Sequence, residues 1–201
     1  MIKNCKILIF FLSFFLVFAF KAKASQLEVA EDLIRDVSSN AIEILSSEEN
    51  NEDEKFEAFR ILLDENVNTN LIAKFVIKKY WKDLTSKQQK EFTNLFKIYI
   101  IKSYSLKLNS YSGEIISITG SKKLNEKYIL VNSKVSKEEQ NTGIEVDWRV
   151  KIEDEKMKIV DLVVEGISLA VAQRAEFTSI IENNNGDIEV LLLKLQNFID
   201  N

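Results

Sequence analysis

Apolar residues recur at helical spacing through the first half of the chain, alternate with polar ones through the middle, and return to helical spacing near the end. Over residues 27–45 the stripe Leu27, Ala30, Ile34, Val37, Ala41, Ile44 and Leu45 marks one face of an amphipathic helix. The polar, acidic run "SSEENNEDE", residues 46–54, reads as a solvated connector to a second helix with Phe56, Phe59 and Leu62 or Leu63 on its face. A third helix is expected over residues 69–81, with Ile72, Ala73, Val76, Ile77, Tyr80 and Trp81 on one side. Phe75 makes its oily arc broader than a surface helix requires. Thr85 stands three residues before Gln88, the arrangement of a capping box, so a long helix should begin there. Its main stripe is Phe92, Leu95, Phe96, Tyr99, Ile100 and Tyr104, and Ile98, Ile101 and Leu106 widen it.

After "LNSYSGE" the period becomes two, and strands are expected at residues 113–119, 128–135 and 144–152. In the third, Ile144, Val146, Trp148, Val150 and Ile152 face one way and Glu145, Asp147, Arg149 and Lys151 the other. Turn-forming residues in "GSKKLNEK", "KEEQNTG" and "EDEK" separate the runs at hairpin lengths, which predicts an antiparallel meander. The fourth strand, within "MKIVDLVVEG", breaks the alternation. Ile159 and Val160 are adjacent, as are Leu162, Val163 and Val164, so apolar groups lie on both faces. Something oily is then needed on each side, either a helical layer or an apolar ligand. Ser168 is placed to cap the next helix. Asp187 is placed to cap the last, whose face is Ile188, Leu191, Leu192, Leu195, Phe198 and Ile199. The pattern predicts an α+β fold in which a curved, four-stranded antiparallel sheet packs with about six helices.

The first residues read as an export signal. Lys3 and Lys6 precede an apolar run from Ile7 to Phe20, and "AKA" at residues 22–24 supplies the small residues of a cleavage site, expected after Ala24. The run is shorter than the roughly 20 residues a membrane span needs. The 177 residues left after removing the first 24 suit one domain, residues 25–201. Cys5 would leave with the signal, so no disulfide could brace the fold, which suits a bacterial cell envelope. Losing Lys3, Lys6, Lys21 and Lys23 would leave 23 basic side chains against 31 acidic ones, a net charge of −8. That sign argues against nucleic acid as a partner and against adsorption to anionic lipid.

The chain contains no histidine, and with Cys5 removed no cysteine, so His-dependent nucleophiles, His-containing zinc sites and thiol chemistry fall away. The five glycines are too scattered to cradle a phosphate. A carboxylate hydrolase remains conceivable, with Asp161 and Glu165 as the candidate pair four apart on one strand, although a solvent or hairpin role suits them as well. No catalysis and no cofactor are expected.

The segments "FRILLDENVNTNLIAKFVIKKYWKDLTSKQQKEFTNLFKIYIIKSYSLKLNSYSGE", "VDWRVKI", "KIVDLVVEGISLAVAQRAEFTSII" and "NNGDIEVLLLKL" together resemble the MlaC, or toluene-tolerance, family. The specific elements are YW before a capped T-x-x-QQ-x-x-F helix, DWR in a strand, and VVEG running into S-x-x-x-x-Q-R-x-E-F. The chain departs where the family often carries a Trp in the last strand, here Met157, and a Pro after the cap, here Ser86. The resemblance implies a fold like that of nuclear transport factor 2 with added helices, enclosing an apolar cavity for phospholipid tails. It implies a monomeric periplasmic shuttle that moves phospholipid between the inner and outer membranes. The implied partners are an inner-membrane ABC transporter complex bearing an MCE protein and an outer-membrane lipoprotein–porin complex.

The residues expected to line that cavity are Phe75, Tyr80, Tyr99, Tyr104, Val146, Trp148, Val150, Leu162, Val164 and Phe177. Each, taken singly, also reads as an ordinary core residue, and an adaptor that binds only protein, with no lipid cavity, remains the alternative. Arg149 and Arg174 either assist a headgroup phosphate or form surface ion pairs.

Overall fold

The computed structural model describes residues 25–47, 49–108, 113–137, 143–153 and 156–200, with residues 104–108 described by their backbone alone. The expected export signal and the Tyr104 side chain lie outside that set.

Local sequence sets where the helices begin. In α1, Gln26–Ser46, the Ser25 hydroxyl accepts from the Glu28 N–H while the Glu28 carboxylate accepts from the Ser25 N–H. Asn51 and Glu54 repeat the arrangement at the start of α2, Glu52–Asn66. The end of the acidic connector is therefore the first turn of a helix. Glu52, Asp53 and Glu54 sit where the positive end of the helix dipole favours them. Asn68 caps α3, Thr69–Val76. The expected single helix over 69–81 breaks at Ile77, whose carbonyl accepts from both Tyr80 and Trp81, and resumes as α4, Lys78–Trp81. Thr85 and Gln88 form the expected box ahead of α5, Ser86–Leu108, and Gln88 reaches on to Glu189.

The meander has five strands, one more than the periodicity indicates: β1 Glu114–Asn125, β2 Tyr128–Lys137, β3 Ile144–Glu153, β4 Lys156–Val164 and β5 Ile167–Ser168. All neighbours are antiparallel and in sequence order. β5 is only two residues long, too short to show a period. It folds back on β4 over Glu165 and Gly166, whose φ values of 48° and 78° suit a tight hairpin turn. β1 runs on through Ser121, Lys122 and Lys123, because an edge strand with an exposed side tolerates charge that reads as turn in sequence. Ser168 caps α6, Leu169–Glu182, and the Asp187 carboxylate accepts from Glu189 at the start of α7, Ile188–Asp200.

Buried apolar side chains gather in three clusters. One joins α3, α5, α6 and α7 through residues such as Val76, Phe92, Phe96, Phe177 and Leu191. A second presses Ala30, Ile34 and Val37 of α1 onto Ile129, Val131, Val150 and Ile159 of the sheet. A third, smaller one joins Phe59 and Leu62 of α2 to Ile101 of α5. Among the described residues no helix is long and apolar enough to cross a membrane.

Candidate functional site

The two faces of the sheet differ in chemistry. Directly opposed residues of neighbouring strands share a face, so the register assigns the rows. One row is Ile129, Val150 and Ile159; the next is Val131, Trp148 and Leu162; beyond it lie Ser133, Val146 and Val164, then Val135 and Ile144. Ile118 continues the third of these and Ile116 the fourth, on β1. The opposite face carries Asn132, Lys134, Glu145, Asp147 and Arg149, with Asn132 donating to Asp147 at 2.7 Å.

A bulge explains the irregular pattern of β4. Arg149 pairs with Asp161 and the next residue, Val150, with Ile159, so Val160 is the extra residue. Ile159 and Leu162 consequently share a face although they are three apart. The run that places apolar groups on both sides in sequence thus supplies Ile159, Leu162 and Val164 to one face. Asn68, in the link between α2 and α3, donates its N–H to the Ile159 carbonyl at 2.9 Å and fastens the helical layer to this edge.

Burial divides the apolar face in two. The rows under α1 are closed: Ile129, Val131 and Val150 are fully buried. In the rows toward the β4–β5 turn, Ile116, Val135, Val146, Leu162 and Val164 are only half-buried, Ile144 is 51 % exposed, and none joins any of the three clusters. Trp148 stands between the two zones. Its indole N–H donates to the Ser133 hydroxyl at 2.9 Å, and that hydroxyl donates to the Val146 carbonyl at 2.7 Å.

Nine of the ten residues expected to line a cavity therefore fall into two groups. Val146, Trp148, Val150, Leu162 and Val164 share the sheet face, with Val150 sealed beneath α1. Phe75, Tyr80, Tyr99 and Phe177 belong to the helical cluster, where Phe177 is buried and the other three lie at its margin. Phe177 packs edge-on to Phe92 and Phe96, and Tyr99 lies between Phe177 and Phe198. Burial pushes the Tyr99 phenol up from its ordinary pKa, and the charge of Glu176 adds to the effect. The Tyr104 side chain lies outside the described residues. Ile116 and Val135 share the open face without having been singled out in sequence. Their signal was the alternation of β1 and β2, which shows its face only once the register is known.

The candidate acid pair does not form. Asp161 is buried and accepts from the Ser168 hydroxyl, the Ala170 N–H and Arg149, whereas Glu165 lies exposed in the turn and accepts from the Glu145 N–H. Arg149 is thus an ion-pair partner, and Arg174 lies over the Phe75 ring at 5.2 Å. Among the described residues no three acidic side chains group to hold a metal ion. An open groove of about 770 Å³, bordered mostly by polar residues, sits at the far end of the sheet between Trp81, Gln89, Lys97, Glu153 and Lys158. Within it Lys97 pairs with Asp64 at 2.6 Å, and the Glu153 carboxylate accepts from the Asn68 amide at 2.6 Å.

The family model described as "MlaC protein" matches residues 35–197, most of the chain. The chain belongs to the MlaC family. Among solved structures, a phospholipid-binding protein from Ralstonia solanacearum, in complex with a phospholipid, superposes with a TM-score of 0.72 at 15 % identity. The match covers 85 % of this chain and 97 % of that one, so the two share a fold. No curated protein sequence matches the chain. The expected MlaC membership thus stands on a second footing. The half-closed sheet face, the DWR strand that carries Trp148 and the hairpin of VVEG are all inside the matched span.

Proposed function

We propose that this MlaC-family chain is a periplasmic phospholipid carrier that holds acyl tails against the half-buried apolar rows of its sheet. The observation that carries the proposal is the set Ile116, Val135, Val146, Leu162 and Val164, apolar side chains of one face that join no buried cluster. Water against such a surface is costly, and a hydrocarbon chain removes it. Phe75 and Tyr99, at the margin of the helical cluster, are proposed to close over the tails from the other side, with Tyr80 and Tyr104 completing the wall. The likeness in fold to a protein solved with phospholipid bound supports the same reading.

Energetics require a deep site. Each methylene kept from water is worth about 0.8 kcal/mol, so two tails of roughly 15 methylenes each represent on the order of 20 kcal/mol. A carrier must recover most of that during transit. The headgroup can stay in water, and no cluster of basic ligands is needed for it. The net negative charge of the mature chain disfavours direct adsorption to anionic bilayers, so loading and delivery are assigned to protein partners: an inner-membrane transporter complex and an outer-membrane lipoprotein–porin complex. Binding and release need no bond-making, so the chain is read as a carrier without catalysis, exported after cleavage at Ala24.

The test is extraction and delivery. The mature protein, incubated with vesicles of phosphatidylcholine carrying a fluorescent tail and then separated from them, should retain fluorescent lipid in a one-to-one complex. Folded protein that removes no lipid from the vesicles would instead favour an adaptor that binds only protein.

A further inference from the structure

We infer that Trp148 is the floor of the tail-binding space and limits how far an acyl chain reaches into the protein, an inference that rests on the carrier reading above. Exposure falls along one face of β3: Ile144 is 51 % exposed, Val146 and Trp148 are half-buried, and Val150 is fully buried. Across the ladder, Trp148 has fully buried Val131 on one side and half-buried Leu162 on the other. The ring, itself at the margin of the α1–sheet cluster, therefore lies at the boundary between residues sealed by α1 and Val146, Leu162 and Val164, which join no cluster.

The way the ring is held supports the same role. An indole N–H removed from water needs a partner, and here the partner is Ser133 Oγ, on a residue only 3 % exposed. Ser133 is fixed in turn, because its hydroxyl donates to the Val146 carbonyl within the ladder. The tilt of the ring is thus set by two hydrogen bonds in series and not by packing alone. A flexible chain end can displace an aliphatic side chain by changing its rotamer. Displacing this indole would strand a buried N–H, which is costly. The ligand class follows: diacyl phospholipids whose tails end at the indole, with longer tails disfavoured because their extra methylenes find no apolar room.

Sequence supplies a direct probe. The chain has two tryptophans, Trp81 in α4 and Trp148, so subtracting the emission of W148F from that of the unsubstituted protein isolates Trp148. The mature protein is loaded with phosphatidylcholine brominated either near the methyl end of its tails or near the carboxyl end. Bromine at the methyl end should quench Trp148 strongly and bromine at the carboxyl end weakly. Bound lipid that quenches equally from both positions, more from the carboxyl end, or not at all overturns the floor assignment alone. Protein that carries no lipid on extraction overturns the carrier reading with it. In competition between saturated phosphatidylcholines of increasing length, W148L should shift preference to longer tails by about fourfold per methylene admitted. A folded W148L with unchanged preference also overturns the assignment. If W148L does not fold, the quenching experiment on the unsubstituted protein still decides.

Discussion

Asp161 accepts a hydrogen bond from the Ala170 N–H, 3.1 Å away, so a carboxylate on β4 fastens the first turn of α6 to the sheet. The same carboxylate accepts from Ser168 at 2.6 Å and Arg149 at 3.2 Å. Its carboxylate is 3 % exposed and the Arg149 side chain 40 %, so the two partners are not equivalent. Asp161→Ala leaves a hydroxyl and a backbone N–H without their acceptor and should cost about 3 kcal/mol in urea unfolding. Arg149→Ala leaves Asp161 its other two bonds and should cost about 1 kcal/mol. Equal losses would show that the ion pair, and not the helix anchor, is what Asp161 provides.

Val146 and Val150 sit two apart on one face of β3 but in different surroundings, and substitution should separate them. Val150→Ala empties a fully buried position beneath α1 and should lower stability by about 2 kcal/mol, with lipid retention little changed. Val146→Asn polarises a half-buried position outside the clusters. It should weaken retention of a fluorescent phospholipid more than it lowers the melting temperature. Melting curves and retention assays on the same preparations make the comparison, and parallel losses in both would favour a plain core at Val146.

Gly166 has a φ of 78°, and a Cβ added there would meet no atom within 4 Å. Gly166→Ala is therefore a purely backbone perturbation of the β4–β5 hairpin. A cost of about 1 kcal/mol in thermal unfolding is expected. A neutral effect would mean that the turn relaxes without penalty and does not hold β5 in register.

Glu153 links the β3–β4 hairpin to the α2–α3 connection. The hydrogen bond from Lys151 holds its carboxyl below the ordinary value of 4.5, with Asn68 adding to the effect and partial burial opposing it. A depressed folded-state value means the stabilisation is present above the unfolded value, near 4.5, and is lost as pH falls through the folded one. Glu153→Gln should accordingly be less stable than the parent at neutral pH, and the two should converge below pH 4.5. Unfolding curves across that range test it; a difference that persists unchanged into acid would assign the effect to packing.

Much of this architecture is legible in one dimension because it is local. Thr85 and Gln88, and Ser168 ahead of α6, announce their helices by hydrogen-bonding groups only three residues apart. β3 announces itself because one of its faces is apolar and the other charged. What stayed hidden depends on pairing. The bulge at Val160 exists only relative to β3, and β5 is too short to have a period. The break at Ile77 leaves the apolar spacing of its segment intact, so nothing in that spacing marks it. The candidate site follows the same rule. Individual lining residues could be proposed from oiliness, but Val146 and Val150 look alike until α1 is seen to cover one and not the other. Asp161 looked like half of an acid pair until the hairpin carried Glu165 away from it.

The most direct test of the account is the content of the protein as it comes from the cell. Mature protein exported by a Gram-negative host, shown to be folded by its melting transition, is extracted with organic solvent and analysed by mass spectrometry alongside native mass measurement of the intact complex. The account predicts about one diacyl phospholipid per chain, reduced in the Val146→Asn variant and retained in Val150→Ala. Folded protein whose native mass is that of the polypeptide alone, and whose extract contains no phospholipid, would contradict it.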